Sequence, residues 1–149
     1  MNAGKTLADA RRGGTSGCVE TGAFGNEAYI LTGYFNIPKV FELTLNNGYD
    51  KVSKKQLGLQ LGYAADFKTY DELFDAFKKQ MKYFIDVKIQ GSNIIEKIFA
   101  DCMPAPLLSI LTSDSIVKGK DYNAGGARYN TKYLQGVGIG TITDCLAAV

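Results

Sequence analysis

The sequence of 149 residues contains no histidine and no tryptophan, and only three cysteines and three prolines. Without histidine the chain cannot build a Ser-His-Asp triad, a Cys-His dyad or a His-ligated zinc site. Proton transfer within it therefore has to use carboxylate, tyrosine, lysine or thiol groups. The cysteines are odd in number and widely spaced, a pattern that predicts neither a disulfide framework nor a metal site.

Strong charge and long apolar runs are missing as well. The 17 basic and 15 acidic side chains leave a formal net charge of +2, so the composition does not favour nucleic acid or an anionic membrane as a partner. The N-terminal segment is polar where a signal peptide needs an apolar stretch, and no later segment has the uninterrupted apolar length required to span a bilayer. We therefore expect a cytoplasmic protein with no metal site.

Glycine, by contrast, is concentrated at the two ends of the sequence. Six glycines fall within residues 1–27 and six within Lys118–Val149, and we expect the first of these segments to be loop-dominated. Between them, Thr69–Glu72 has capping-box spacing and apolar residues follow at three- and four-residue steps. This pattern predicts a helix from about Tyr70 to Gln90. A second helix is predicted over Ser92–Asp101, before two prolines.

The remaining segments give weaker patterns. Residues 27–45 could be helical with a break near Gly33, and Pro38 suits the first turn of a second helix there. Leu107–Leu111 is an apolar run that fits helix or strand, and Thr141–Asp144 is typical of a helix start. Periodicity thus predicts helices and glycine-rich loops, but no strand.

A thiol and a carboxylate stand two residues apart at Cys18 and Glu20. In extended backbone the two side chains project to the same side and could address one bound molecule. For an isolated Cys-x-Glu, a small buried cysteine beside a surface glutamate is the commoner interpretation. The surrounding residues make a functional interpretation more favourable here, because Arg11–Gly17 precede the pair and Thr21–Gly25 follow it.

Ala10–Glu20, ARRGGTSGCVE, resembles the active-site finger loop of glycyl radical enzymes. In that family a Gly-Cys-Val/Ile-Glu core marks the dehydratase and lyase branch, whereas the pyruvate formate-lyase branch has two adjacent cysteines. Similarity continues over Tyr29–Lys39 and Glu42–Gly48 and resumes over Asp121–Asn130 and Leu134–Gly138, and it therefore covers essentially the whole chain. Thr21–Gly22 is most similar to branch members that act on trans-4-hydroxy-L-proline.

The resemblance implies an α/β fold. Residues 1–149 would be an internal part of a ten-stranded barrel made of two half-barrels, helix-rich, with the glycine-rich finger loop inside. Family members are several times longer and store their radical on a glycine in an R-V-x-G-Y type motif near the C-terminus, which these residues lack. We therefore expect a fragment without the C-terminal glycyl radical domain, inactive by itself.

The resemblance also implies a mechanism in which no cofactor binds directly to this chain. An activating enzyme that uses S-adenosylmethionine installs a glycyl radical, which takes hydrogen from Cys18, and the thiyl takes hydrogen from the substrate. Glu20 would act as base or acid while the substrate hydroxyl leaves as water, giving pyrroline-5-carboxylate from hydroxyproline. Tyr34 is expected in the pocket wall, with Phe24 and Phe35 as weaker candidates. The alternative for all three is packing in a core.

Other polar and sulfur side chains are expected to be structural. Buried structural pairing is favoured over substrate binding for Arg11, Arg12 and Arg128, and Cys102 and Cys145 are expected in the core. The expected partners are a small-molecule substrate, the activating enzyme, the rest of the barrel and, at full length, a second copy in a homodimer. The alternatives are a sister glycyl radical lyase acting on choline, glycerol, another diol or a sulfonate, a formate C-acetyltransferase-like enzyme, and a non-catalytic truncated remnant.

Overall fold

In a computed structural model the chain combines α-helices with short β-strands, and the structure describes residues 4–17 and 20–149. The chain divides into two compact units, of which the first contains Met1–Gly33 and Ser92–Leu134 and the second contains Tyr34–Gly91 and Gln135–Val149. The elements in chain order are α1 (Leu7–Arg11), β1 (Gly13–Ser16), β2 (Glu20–Ala23), β3 (Glu27–Asn36), α2 (Ile37–Leu45), β4 (Tyr49–Asp50), β5 (Lys55–Gln56), α3 (Tyr70–Cys102), α4 (Pro106–Leu111), α5 (Ser115–Lys118), β6 (Tyr129–Val137) and α6 (Ile139–Ala147).

The first unit begins with a short helix and a β-hairpin. The hydroxyl of Thr6 caps α1 by accepting a hydrogen bond from the backbone N–H of Asp9 at 3.1 Å. β1 and β2 then pair antiparallel, with Ser16 opposite Glu20. Residues 17–19 connect the two strands, so Glu20 is the first residue of the returning strand.

Glycines in this hairpin allow close packing. A Cβ on Gly14 would lie 2.2 Å from Cε2 of Phe24, and one on Gly22 would lie 2.6 Å from Oε2 of Glu27. Neither position could hold a larger residue without a shift of its neighbours. The expectation of a loop-dominated N-terminal segment is therefore wrong for this hairpin, where glycine serves strand packing as well as turns.

β3 occupies most of the segment in which a first helix seemed possible, and that expectation is wrong. β3 and β6 are hydrogen-bonded neighbours in a two-stranded sheet. The segment contains aromatic and branched side chains that suit a pleated surface, and its pairing with a strand distant in sequence overrides the local spacing. The expected second helix is confirmed as α2, with Pro38 in its first turn and Asn36 as its N-cap.

α3 runs without a break through Gly91, where two separate helices were expected. As the capping-box spacing predicts, Oγ1 of Thr69 accepts a hydrogen bond from the backbone N–H of Glu72 at 3.2 Å. The Glu72 carboxylate, however, accepts from the N–H of Lys68 at 2.7 Å rather than from Thr69. A Cβ at Gly91 would have no neighbour within 4 Å, so packing does not require glycine there, and a single glycine costs a helix only about 1 kcal/mol relative to alanine.

The two short segments near the prolines and at the C-terminal end are helical. α4 begins at Pro106, a first-turn position where the missing N–H costs little, so Leu107–Leu111 is helix. α6 begins at Ile139, slightly before the expected start at Thr141. Within the described ranges, the helices are too short or too polar to cross a membrane.

The second unit has an apolar core between α2, α3 and α6. The rings of Phe41 and Phe77 meet edge to face, with 5.3 Å between their centroids. Cys145 packs against this core as expected, whereas Cys102, the last residue of α3, is exposed, so the expectation of a core position is wrong for it. The buried members of the core cluster are Val40, Phe41, Leu73, Phe77 and Ile142.

Candidate active site

The predicted thiol and carboxylate pair, Cys18 and Glu20, falls in the sequence where the hairpin connection meets β2. Cys18 lies outside the described residues, and Glu20 is partly buried at the start of β2. Gly17, which precedes the pair, has φ of 53°, in the left-handed region that glycine adopts at little cost. The structure thus places the Glu20 carboxylate directly beside the connection that contains Cys18 in the sequence.

One face of β6 presents three hydroxyl groups to the interior of the first unit. Tyr129, Thr131 and Tyr133 alternate with exposed residues, so their side chains project from the same face of the strand. We refer to these three residues as the hydroxyl face. The Tyr129 hydroxyl donates to an oxygen of Asp9, and the Thr131 hydroxyl donates to Oε1 of Glu27. The Tyr133 hydroxyl donates to the carbonyl oxygen of Thr21.

Glu27 is a buried carboxylate at the start of β3, with only 3% of its surface exposed. Its Oε2 accepts from the backbone N–H of Ala23 at 2.7 Å and from Nζ of Lys5, and its Oε1 accepts from Thr131. Burial alone would raise the pKa of Glu27, but these three donors hold it below its ordinary value. The ionised carboxylate therefore ties β2, β3 and β6 together.

Asp9, at 4% exposure, is a second buried carboxylate in this unit. It accepts from the Tyr129 hydroxyl at 2.8 Å, from Nδ2 of Asn26 at 2.7 Å and from Nη1 of Arg128 at 3.1 Å. The Tyr129 hydrogen bond is the largest cause that lowers the pKa of Asp9 to about 2. Arg128 also donates to Asp114 at 2.9 Å, so the expected ion pairing of this arginine is present, but the Arg128 side chain is 43% exposed rather than buried.

Three aromatic rings stack beside the hairpin. The ring centroids of Phe24 and Tyr29 are 6.2 Å apart, and those of Tyr29 and Tyr133 are 6.1 Å apart with planes inclined by 7°. The buried hydroxyl of Tyr29 has no hydrogen-bond partner in the described part of the chain. Burial raises the pKa of Tyr29, so this hydroxyl keeps its proton.

The three aromatic residues predicted for the substrate pocket lie in different environments. Phe24, in the turn after β2, is 51% exposed, and Tyr34 on β3 is 64% exposed. Phe35 follows Tyr34 in the strand, so the two side chains project from opposite faces, and Phe35 packs against the apolar core of the second unit. Phe24 belongs to the unit with the hairpin, and the other two belong to the second unit. Of the three, Phe35 is the least suited to contact a ligand.

Two clefts, with volumes of about 360 and 560 Å³, lie against the hairpin. Lys5 and Thr21 line both, and Glu27 and Tyr133 also line the larger one. The residues that line the larger cleft carry hydrogen-bonding side chains, which suits a small polar molecule, whereas the smaller cleft is lined largely by glycine and alanine. Among the residues that the structure describes, no group of three or more Cys, Asp or Glu side chains is arranged to hold a metal ion.

The sequence analysis missed the hydroxyl face and the two buried carboxylates. A signal for the first exists, because the alternation in Tyr129-Asn130-Thr131-Lys132-Tyr133 has the period of a strand. The partners of Asp9 and Glu27 are remote in sequence, so no local pattern connects them.

Comparison with known proteins extends over the whole chain. A family model described as pyruvate formate lyase-like matches residues 1–149. The trans-4-hydroxy-L-proline dehydratase of Clostridioides difficile is 66% identical over 149 residues, which are 100% of this chain and 19% of that protein. The (2S)-3-sulfopropanediol dehydratase of Klebsiella oxytoca is 33% identical over 150 residues, covering 100% of this chain and 18% of that protein. The chain thus spans about a fifth of the length of these curated relatives.

Solved structures show the same similarity. The hydroxyproline dehydratase of Clostridioides difficile, crystallised with trans-4-hydroxy-L-proline bound, matches with a TM-score of 0.92 and 66% identity, over 98% of this chain and 18% of that one. The glycerol dehydratase of Clostridium butyricum matches with a TM-score of 0.88 and 39% identity, over 99% of this chain and 19% of that one. The expected α/β fold is therefore confirmed, because these structures share the arrangement of helices and strands.

Proposed function

Because the chain belongs to the pyruvate formate lyase-like family of glycyl radical enzymes, we propose that it is part of a dehydratase that removes water from trans-4-hydroxy-L-proline to give pyrroline-5-carboxylate. The strong similarity to a hydroxyproline dehydratase along the entire chain supports this choice of substrate. In this proposal the residues work within a longer polypeptide, which supplies the rest of the ten-stranded barrel and the C-terminal glycyl radical domain.

The observation that carries the proposal is the position of Glu20. Glu20 begins β2 at the end of the connection that contains Cys18 in the sequence. The Cys18 thiol and the Glu20 carboxylate therefore belong to the same hairpin. The glycyl radical, installed by an S-adenosylmethionine-dependent activating enzyme, supplies the unpaired electron. Cys18, converted to a thiyl radical by loss of its hydrogen atom to the glycyl radical, would take a hydrogen atom from the substrate and later return it to the product radical. This return regenerates the Cys18 thiyl, which recovers a hydrogen atom from the glycine and becomes a thiol again.

Glu20 handles the proton in the same scheme. The substrate hydroxyl leaves with a proton as water, and over the complete cycle the substrate loses only the elements of one water molecule. A carboxylate can carry out this transfer if the site is dry and the group lies within hydrogen-bonding reach of the substrate. No charge relay through histidine is needed, in agreement with the composition of the chain.

The remaining parts of the proposal concern binding and partners. Tyr34 and Phe24, both well exposed in the described structure, are proposed to contact the substrate, and Phe35 is proposed as a weaker contact. Partners would be the substrate, the activating enzyme and, for the full-length protein, a second copy in a homodimer. We propose a cytoplasmic location.

A substrate panel tests the proposal. The full-length protein that contains this chain is activated without oxygen and offered trans-4-hydroxy-L-proline, glycerol, (2S)-3-sulfopropanediol and choline separately. We expect pyrroline-5-carboxylate from the first and no conversion of the others. Conversion of glycerol or the sulfonate with hydroxyproline left intact would contradict the substrate, and an activated protein that converts none of the four would support a non-catalytic remnant.

The same assay tests the role of Glu20. Glu20→Gln keeps the length of the side chain and removes its acid–base function, so we expect kcat to fall by roughly 10²- to 10⁴-fold. Glu42→Gln, a change on the surface of α2, is the matched control and should leave kcat unchanged.

A further inference from the structure

Tyr133 is the member of the hydroxyl face that reaches the strand of Glu20. Its hydroxyl donates to the carbonyl oxygen of Thr21, the residue directly after Glu20. Thr21 is also paired with Thr15 in the antiparallel ladder of the hairpin. Thr21, the residue that follows Glu20, is therefore paired with β1 and hydrogen-bonded to a side chain of β6.

The environment of Tyr133 keeps its hydroxyl in the donor state. Burial is the first cause that raises the pKa of Tyr133, and the negative charge of Glu27 is the second, with Glu20 contributing in the same direction. Stacking on Tyr29 restricts the ring of Tyr133, so the donor is held in place.

β2 is thereby fixed at two positions, which lie two residues apart. The backbone N–H of Ala23 donates to Oε2 of Glu27 at 2.7 Å, and the carbonyl of Thr21 accepts from Tyr133. Only the second anchor is adjacent to Glu20. A loss of this anchor would leave the far end of β2 attached to Glu27 and would weaken the hold on the end that carries Glu20, which stays paired with β1 at Ser16.

We propose that Tyr133 is a positioning residue for the dehydration, and that it sets the placement of the Glu20 carboxylate by holding the carbonyl of Thr21. The inference rests on the proposed role of Glu20. Because a displacement of about 1 Å in a reacting group can cost about 10²-fold in rate, and because the anchor at Ala23 remains, we expect Tyr133→Phe to lower kcat by roughly tenfold. KM should change little, since no substrate contact is removed.

The test uses the full-length protein with two variants of the hydroxyl face. Tyr133→Phe removes the hydroxyl that bonds to Thr21. Tyr129→Phe, the matched control, removes a hydroxyl from the same face of β6, but one that bonds to Asp9 at 2.8 Å. Three quantities are measured: hydrogen–deuterium exchange in peptides covering residues 13–23, the glycyl radical content by electron paramagnetic resonance, and kcat and KM for trans-4-hydroxy-L-proline.

We expect Tyr133→Phe to exchange faster in residues 13–23 than the wild type and Tyr129→Phe, with normal radical content, lower kcat and nearly constant KM. If exchange in residues 13–23 were unchanged in Tyr133→Phe, the inference would be overturned. It would also be overturned if Tyr133→Phe kept the wild-type kcat while Glu20→Gln was inactive. An increase in KM at constant kcat would also overturn it, because it would indicate a binding role. If Glu20→Gln itself retains full activity, the proposed function has failed, and the exchange data still decide whether Tyr133 holds β2.

Discussion

The two units of the chain are stabilised by different kinds of contact. The second unit buries large apolar side chains, whereas the buried apolar residues of the first unit, within the described ranges, are three alanines and Tyr122. The first unit instead buries mainly carboxylates and other hydrogen-bonding side chains, whereas in the described part of the second unit such burial is confined to Thr44, Asp50 and Gln80. The buried polar residues of the first unit include Asp9, Asn26, Glu27, Thr32, Ser92, Thr112 and Ser115.

This difference has a physical consequence for the candidate site. Apolar burial is strongly favourable but has no preferred direction, whereas a buried carboxylate needs its donors at fixed distances and angles. The second unit is therefore organised for stability, and the first unit is organised to hold the hairpin in one geometry. The residues with proposed catalytic roles, Cys18 and Glu20, belong to the first unit.

The largest effect on stability is expected in the second unit. Phe77 is buried against Phe41 in the core, and Phe77→Ala should lower the free energy of unfolding by about 3–5 kcal/mol. Denaturant unfolding of the full-length protein measures the change, and kcat per folded molecule should stay close to the wild-type value. A loss below 1 kcal/mol would contradict the assignment of stability to this core.

A smaller loss of stability, but a loss of activity as well, is expected from Glu27→Gln. The amide cannot accept from all three donors that surround Glu27, so we expect a loss of about 1–3 kcal/mol in the free energy of unfolding. Because Ala23 loses its fixed acceptor, kcat should fall too. Thr131→Val, which removes one of the donors, should reproduce a weaker form of both effects. If Glu27→Gln kept the wild-type kcat, the buried polar contacts of the first unit would not be needed for activity, and the proposed difference between the two units would be contradicted.

A pH-dependent effect is expected at Asp9. Its folded pKa of about 2 lies below the ordinary value of 3.8, so its contribution to stability is complete above about pH 4 and is lost as the pH falls towards 2. The destabilisation caused by Asp9→Asn should accordingly be largest above about pH 4 and should shrink below it. Unfolding measured between pH 5 and 2.5 for both proteins tests this, and a difference independent of pH would contradict it.

The smallest effect is expected for an ion pair on the surface of α3. Lys82 and Asp86 form a contact of 2.7 Å, but both side chains are more than half exposed. Lys82→Gln should change the free energy of unfolding by less than about 0.5 kcal/mol. The comparable change Lys5→Gln, at the buried carboxylate of Glu27, should cost clearly more. Equal effects of the two substitutions would show that burial of the ion pair does not matter here.

Local signals explain which parts of the fold could be predicted from the sequence. Asn36 and Pro38 predict the start of α2, and Thr69 predicts the start of α3, because caps and first-turn residues act on their immediate neighbours. β3 was missed because its strand character depends on pairing with β6, whose residues lie far along the chain. A single sequence carries no direct signal for such a pairing.

The candidate site also contains one part that could be predicted from local sequence and one part that could not. The pattern around Cys18 and Glu20 is contiguous, so it could be found by resemblance to a known finger loop. No local pattern distinguishes Asp9 and Glu27 from other carboxylates in the sequence, and only the fold brings Arg128 to one and Thr131 to the other. The residues that hold the site were therefore hidden from sequence analysis.

The most direct test compares two cysteine variants of the activated full-length protein. Cys18→Ser and the exposed Cys102→Ser are assayed for pyrroline-5-carboxylate formed from trans-4-hydroxy-L-proline, with the glycyl radical content of each sample measured in parallel. We predict no detectable product from Cys18→Ser and a wild-type rate from Cys102→Ser, at equal radical content. Turnover by Cys18→Ser at the wild-type rate would contradict the proposed thiyl mechanism.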